Sequence, residues 1–304
     1  MRDTELEELA AEIVARLGKG GRAGRREGGS RAPGVGGPAA LPPSRRAVLA
    51  PRRSAIRVAD FVDHTLLKAE ATRAEILKLC AEAREHRFAA VCVNPTWVEL
   101  CVRELYGTDV AVATVVGFPL GATTARAKAA EAREAVATGA AEVDMVANIG
   151  RIRSGEWVAV EDDIRAVVEA SRPSLVKVII ESAALTREEI IKASAVSREA
   201  GAHFVKTSTG FHPAGGASVE AVRLMRLVVG DELGVKASGG VRDCATALQM
   251  IAAGANRIGT SSGVAFASCL GPGPLPLAEL LKDPLAHVPS CSSGSCARAG
   301  GEAY

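Results

Sequence analysis

Between residues 58 and 260, eight short apolar runs rich in β-branched residues alternate with seven amphipathic stretches rich in Ala, Glu and Arg. The runs fall at 58–64, 89–93, 110–117, 142–147, 176–180, 204–208, 235–237 and 257–259. Between them, residues 73–85, 96–105, 124–138, 157–170, 187–200, 219–229 and 243–253 repeat their apolar side chains at helical spacing. Strands that alternate with helices in this way pair in parallel through right-handed crossovers. Three helical stretches close on Gly-Ala just before a run, at Gly139-Ala140, Gly201-Ala202 and Gly254-Ala255. A glycine there takes the left-handed cap that turns the chain back toward the sheet. Eight strands in about 210 residues fit a single (β/α)8 TIM barrel at the compact end of its size range. A doubly wound open sheet is the alternative, but it carries a Gly-rich loop after its first strand. The first run here ends Asp63-His64-Thr65-Leu66-Leu67, without glycine. The chain has only ten aromatic residues, so its core must be built from Val, Leu, Ile and Ala, which fill a layered barrel interior well.

This pattern divides the chain into a barrel over 58–270 and two extensions, 1–57 and 271–304. Leu6, Leu9, Ile13 and Val14 give residues 3–17 helical spacing. Residues 18–57 are rich in Gly, Pro and Arg with a single acid, Glu27, and bury too little to offset their ordering entropy. A solvated extension is expected there. A nucleic-acid tether is the functional alternative, weakened by a net charge of only +2. The Gly-, Pro- and Ser-rich tail over 271–304 reads the same way. Seven cysteines, odd in number and irregular in spacing, follow an acidic opening without an apolar leader core, so free thiols in a reducing cytoplasm are expected. No run of 18 apolar residues suggests a membrane partner.

In a barrel of this kind the chemistry sits at the C-terminal ends of the strands. Charges inside apolar runs are therefore informative, because burying a charge is costly unless it is paired or used. The fourth run carries Glu142 and Asp144, and period-two alternation puts both on the face opposite Val143 and Met145, so Asp144 points into the barrel. The sixth and seventh runs carry Lys206 and Lys236, each followed by small, polar, loop-forming residues. Two inward lysines on adjacent strands lower each other's affinity for a proton, and a neutral amine attacks carbonyl carbon. With a carboxylate in reach, the set suits Schiff-base chemistry without a metal or cofactor. Lys177, taken alone, reads as an outward residue whose stem reaches water. Glu142 is suited to pairing with a lysine on a neighbouring strand.

After the seventh run comes Gly239-Gly240, and after the eighth come Ser261, Ser262 and Gly263. Small residues leading into helices let backbone N–H groups approach an anion, and loops seven and eight are the usual phosphate site of such barrels. A phosphorylated small-molecule substrate is expected.

These motifs resemble the deoxyribose-phosphate aldolase family, whose members are class I aldolases. The resemblance spans roughly 58–270 and rests on Asp63-His64-Thr65-Leu66-Leu67-Lys68, Val91-Cys92-Val93-Asn94-Pro95, Gly117-Phe118-Pro119-Leu120-Gly121, Glu142-Val143-Asp144-Met145-Val146, Lys177-Val178-Ile179-Ile180-Glu181, Val205-Lys206-Thr207-Ser208-Thr209-Gly210 and Lys236-Ala237-Ser238-Gly239-Gly240-Val241-Arg242. It implies that Lys206 is the Schiff-base lysine, that Lys236 perturbs it, and that Asp144 exchanges protons through water. It moves Lys177 and Asp63 into the surrounding polar network and gives Gly210, Gly239, Gly240, Ser261 and Ser262 to phosphate. Cys92 matches a cysteine near the substrate. The implied reaction is reversible cleavage of 2-deoxyribose 5-phosphate to acetaldehyde and glyceraldehyde 3-phosphate, with no metal. The resemblance is also what suggests a homodimer. Ala237 and Ser238 stand where the family often has proline and alanine, and both replacements are small. The chain ends in Tyr304, and a terminal tyrosine assists catalysis in some members. Residues alone leave two alternatives: another Schiff-base sugar-phosphate aldolase or transaldolase, and a non-catalytic phosphate-binding barrel.

Overall fold

The computed structural model of the chain describes Ala11, residues 55–267 and Leu275–Pro276. The helix expected over 3–17, the basic stretch up to 54 and the tail ending in Tyr304 otherwise lie outside the described residues. Eight strands, β1 (Val62–Leu66), β2 (Ala90–Val93), β3 (Ala111–Val116), β4 (Glu142–Val146), β5 (Leu175–Ile179), β6 (Phe204–Lys206), β7 (Gly234–Ser238) and β8 (Arg257–Thr260), form a closed barrel in sequence order. Every neighbouring pair is parallel, and β8 closes on β1 through Val62↔Ile258, Asp63↔Gly259 and His64↔Thr260. The expected (β/α)8 barrel is therefore the fold.

Around it run α1 (Arg73–His86), α2 (Val98–Glu104), α3 (Ala125–Ala137), α4 (Trp157–Ala170), α5 (Arg187–Glu199), α6 (Val219–Val229), α7 (Cys244–Ala252) and α8 (Gly263–Ala267). Local chemistry sets their ends. The Thr72 and Thr186 hydroxyls accept from the Glu75 and Glu189 amides, while those glutamates accept in return from the Thr72 and Thr186 amides at 2.7 Å. Gly139, Gly201 and Gly254 have φ of 104°, 88° and 110°, the left-handed turn expected after α3, α5 and α7. The main core lies between strands and helices, where Val143 and Met145 join Ile164, Val167, Leu224 and Leu248. A second apolar cluster, Leu67, Ala90, Cys92, Ala113 and Val115 with Phe118 against it, fills the interior beside β1 to β3.

Several readings need correction. The first run is not all strand: Val58–Phe61 is a 3-10 turn, capped by Asp60, whose carboxylate accepts from the Arg57 amide at 3.2 Å. Val58, Ala59 and Phe61 are all buried, so an apolar run alone could not distinguish the turn from a strand. A single helical turn, Ile149–Arg153, precedes α4 and was masked by its Arg-rich composition. Ala55–Ile56 pairs antiparallel with Leu275–Pro276, so the two extensions meet in a small ribbon. Cys80, Cys92 and Cys101 carry free thiols as expected, but Cys244 is disulfide-bonded.

Inside the barrel, Phe204 is fully buried, and a Cβ at Gly234 on the neighbouring strand would lie 2.1 Å from its ring. Glycine is required there by space. Substituting Gly234→Ala should cost about 1–3 kcal/mol through overpacking, read as a lower midpoint in urea unfolding.

Candidate active site

Every charged side chain singled out within the runs turns inward, and they meet. Asp144 on β4 pairs with Lys177 on β5, and Lys206 on β6 with Lys236 on β7. The Asp144 carboxylate accepts from Lys177 Nζ at 2.7 Å on one oxygen, and from Lys206 at 2.9 Å and Lys236 at 2.7 Å on the other. Lys236 also reaches Asp63 at 2.5 Å, and Lys177 reaches Glu142 at 2.5 Å. Lys177 is thus an inward residue, and the outward reading of it is withdrawn.

A further residue completes the set. Arg257, the first residue of β8, donates to both Asp63 and Glu142. Sequence reading passed over it because it opens its run rather than interrupting it, although the rule about charges in apolar runs applied equally. The guanidinium also lies 5.9 Å from the Phe204 ring centroid, with Lys177 Nζ at 6.0 Å, so the ring forms a floor beneath two cations.

Three carboxylates, Asp63, Glu142 and Asp144, share this space with four bases, Lys177, Lys206, Lys236 and Arg257. With all of them ionised the site would hold one positive charge in excess, which disfavours the proton on one of the four bases. Burial pushes the amine of Lys206 below the ordinary lysine value; Asp144 pulls the other way, and the charge on Lys236 adds to the lowering. Lys236 suffers the same burial, but Asp144 and Asp63 together outweigh it and hold that amine well above the ordinary value. Lys177 is raised too, because Asp144 and Glu142 outweigh its burial. Burial alone would raise Asp144, yet Lys177, Lys206 and Lys236 hold it well below the carboxylate range. Lys206 is also the lysine with access, at 3% exposed against 0% for Lys177 and Lys236. A neutral amine facing the barrel mouth, between fixed cations and a fixed carboxylate, can add to a carbonyl.

The loops after β6, β7 and β8 are stitched side by side at this mouth. Thr207 Oγ1 donates to the Ser238 carbonyl at 3.0 Å, and Ser238 Oγ to the Ser208 carbonyl at 2.6 Å. Thr260 Oγ1 donates to the Val241 carbonyl at 2.8 Å and accepts from the Ser262 amide at 3.0 Å. Gly210, Gly239, Gly240, Ser261 and Ser262 therefore lie on adjoining loops. Gly239, with φ 81°, approaches so closely that a Cβ on it would come within 2.9 Å of Gly216 Cα and 3.5 Å of Gly210 Cα. The Gly239 and Gly240 amides donate to no other described residue. The helix following Gly239-Gly240 contributes less than expected: α7 starts at Cys244, and Asp243 occupies its first turn, accepting from the Thr246 amide at 2.8 Å. Ser238, the departure from the family pattern, is one of the stitches.

Removing one partner from a buried ion pair strands the others. Arg257→Met leaves Asp63 and Glu142 short of a counter-charge and should cost about 3–5 kcal/mol by chemical denaturation.

Residues 57–268 match the family model described as DeoC/LacD family aldolase. A deoxyribose-phosphate aldolase of Streptococcus uberis is 57% identical over 209 residues, which is 69% of this chain and 94% of that protein. Among solved structures, an aldolase designated QR15 is 40% identical with a TM-score of 0.67, covering 76% of this chain and 99% of its own. The tetrameric deoxyribose phosphate aldolase from Aeropyrum pernix is 32% identical with a TM-score of 0.65, covering 69% of this chain and 89% of its own.

Proposed function

The chain belongs to the DeoC/LacD family of aldolases, and on that premise we propose that it is a deoxyribose-phosphate aldolase working through a Schiff base on Lys206. It cleaves 2-deoxyribose 5-phosphate reversibly to acetaldehyde and glyceraldehyde 3-phosphate. The observation that carries this reading is the Asp144 carboxylate held inside the barrel by Lys177, Lys206 and Lys236, with burial pushing Lys206 down while the acids around Lys177 and Lys236 hold those two up.

Neutral Lys206 adds to the C1 aldehyde of the open-chain sugar, and the carbinolamine hydroxyl takes up a proton and leaves as water, giving an iminium. Its positive charge develops beside Asp144, which the lysines around it hold in place, so stabilisation needs no reorganisation. The C3 hydroxyl proton passes through water toward Asp144 as the C2–C3 bond breaks. The bonding pair flows into the iminium, giving a neutral enamine and releasing glyceraldehyde 3-phosphate. Asp144 is held too acidic to keep the proton, so it hands it on. Protonation at C2 restores the iminium, and water hydrolyses it to acetaldehyde and free Lys206. Lys236 remains charged and keeps Lys206 from doing so in the resting enzyme. Asp63 and Lys177 hold the network together. Gly210, Gly239, Gly240, Ser261 and Ser262 bind the phosphate and keep the reacting carbons in register.

Residues 58–270 form the catalytic unit in this reading, with 1–57 and 271–304 as appendages. Three free thiols support a cytoplasmic setting, and the Cys244 disulfide is the exception to it. No described helix is long and apolar enough to cross a membrane. The tetrameric Aeropyrum pernix relative supports a homo-oligomer here, for which a dimer is the simplest unit.

Borohydride reduction with acetaldehyde, followed by peptide mass spectrometry, should place a two-carbon adduct on Lys206. An adduct on Lys236 or Lys177 would reverse the roles, and none on folded protein would sink the aldolase reading. Because Lys236 lowers Lys206, Lys236→Met should shift the acidic limb of the kcat/KM profile to higher pH while reducing the rate. Gly240→Asp puts a carboxylate against the phosphate and should raise KM for 2-deoxyribose 5-phosphate by about tenfold or more.

A further inference from the structure

Just beyond β5, the parallel ladder to β6 slips. The Ile180 amide donates to the Lys206 carbonyl at 3.0 Å, and the Ser182 amide donates to the Thr207 carbonyl at 2.8 Å. Two steps along one segment therefore match a single step along the other. Glu181 is the surplus residue of this bulge, and its backbone is left-handed, with φ 54° and ψ 56°. Among the described residues, the other non-glycine with positive φ is Arg87, the cap of α1. A helix cap explains Arg87. Glu181 precedes the short 3-10 turn Ser182–Ala184, but that N-terminal position ordinarily takes extended backbone, and a left-handed conformation is unfavourable for glutamate unless the surroundings hold it there.

What holds it is its side chain. Glu181 is 2% exposed, and the bulge aims its carboxylate at the loop after β6. It accepts from the Thr209 amide at 3.2 and 3.3 Å and from the Thr209 hydroxyl at 2.6 Å. The same hydroxyl accepts from the Phe211 amide at 3.1 Å. The amides on both sides of Gly210 are thus engaged, one by Glu181 and one through it. The Gly210 amide itself donates to no other described residue. Gly210 has φ 88° and lies beside Gly239 of loop seven, whose Cβ, if present, would be 3.5 Å from Gly210 Cα.

We infer that Glu181 is a positioning residue for the substrate phosphate: it fixes Thr209 and Phe211 so that the intervening Gly210 amide is presented to the anion. The inference rests on the reading of Gly210, Gly239, Gly240, Ser261 and Ser262 as the phosphate cradle. A carboxylate near a phosphate would ordinarily repel it; here its lone pairs are met by the Thr209 donors, and charge assistance makes those bonds stiffer than neutral ones. Glu181 does not touch the reacting carbons, so its contribution appears in recognition of the phosphorylated end.

The test compares Glu181→Gln and Glu181→Gly with the unaltered protein, using 2-deoxyribose 5-phosphate and unphosphorylated 2-deoxyribose, with melting temperatures alongside. KM for the phosphorylated sugar should rise about tenfold in both variants, the loss of one charge-assisted bond. The preference in kcat/KM for the phosphorylated over the plain sugar should fall by the same factor. Glu181→Gly relieves the left-handed backbone, so it should keep or raise the melting temperature while still losing the preference. A purely structural residue would do the reverse, lowering kcat and melting temperature together without moving the preference, and that result overturns the inference. Gly240→Asp separates the two levels. If it raises KM and the Glu181 variants do not, this inference falls and the cradle stands. If none of the three moves KM, the cradle reading falls and takes this inference with it.

Discussion

The Asp144 carboxylate accepts hydrogen bonds from three buried ammonium or amine groups, and the interior of the barrel is arranged around that fact. A lone carboxylate at such depth would protonate, and a lone lysine would lose its proton. Together they hold each other in defined states, but not equally. Lys177 has Glu142 as a second carboxylate and Lys236 has Asp63, whereas among the described residues Lys206 pairs with the Asp144 carboxylate alone, against its burial and the repulsion from Lys236. The lysine proposed as the nucleophile is the one with the fewest carboxylate partners.

The rest of the barrel serves this inequality. Apolar side chains of β1 to β3 and their loops fill part of the interior. Phe204 closes the space below Lys177 and Arg257, and Gly234 makes room for its ring. Gly259 does the same for Lys236, since a Cβ there would come within 3.0 Å of Lys236 Cε. Loops six to eight, joined by Thr207, Ser238 and Thr260, then carry the residues proposed to bind phosphate as one unit.

Much of this was legible in the residues because it is written in composition and period. Asp144, Lys206 and Lys236 interrupt apolar runs, and eight alternations announce the barrel. What was missed is carried by conformation or by partners distant in the chain. Glu181 matters through a bulge and a left-handed backbone, neither of which has a residue-type signature when the residue is glutamate. Lys128 lies in an Ala- and Arg-rich helix that reads as solvated. It is in fact fully buried, bonded to the Val146 carbonyl at 2.8 Å and to Asp163 at 2.6 Å across another helix. Arg257 gains its meaning from Asp63, 194 residues earlier. The Cys244 disulfide could not be read from irregular spacing in a chain otherwise suited to free thiols.

The closure of the barrel has a consequence for biosynthesis. Asp63 emerges from the ribosome with β1, yet its partners Lys236 and Arg257 follow 173 and 194 residues later. Lys206 is made before either of them. Until the last strand docks against the first, Asp63 lacks its cations, and Lys206, the proposed nucleophile, lacks the burial and the Lys236 charge that lower its affinity for a proton. A nascent or truncated chain therefore carries an ordinary protonated lysine, inert toward the aldehydes of the cell. Reactivity is switched on by the same event that completes the fold, so a partly made chain is protected from modifying itself.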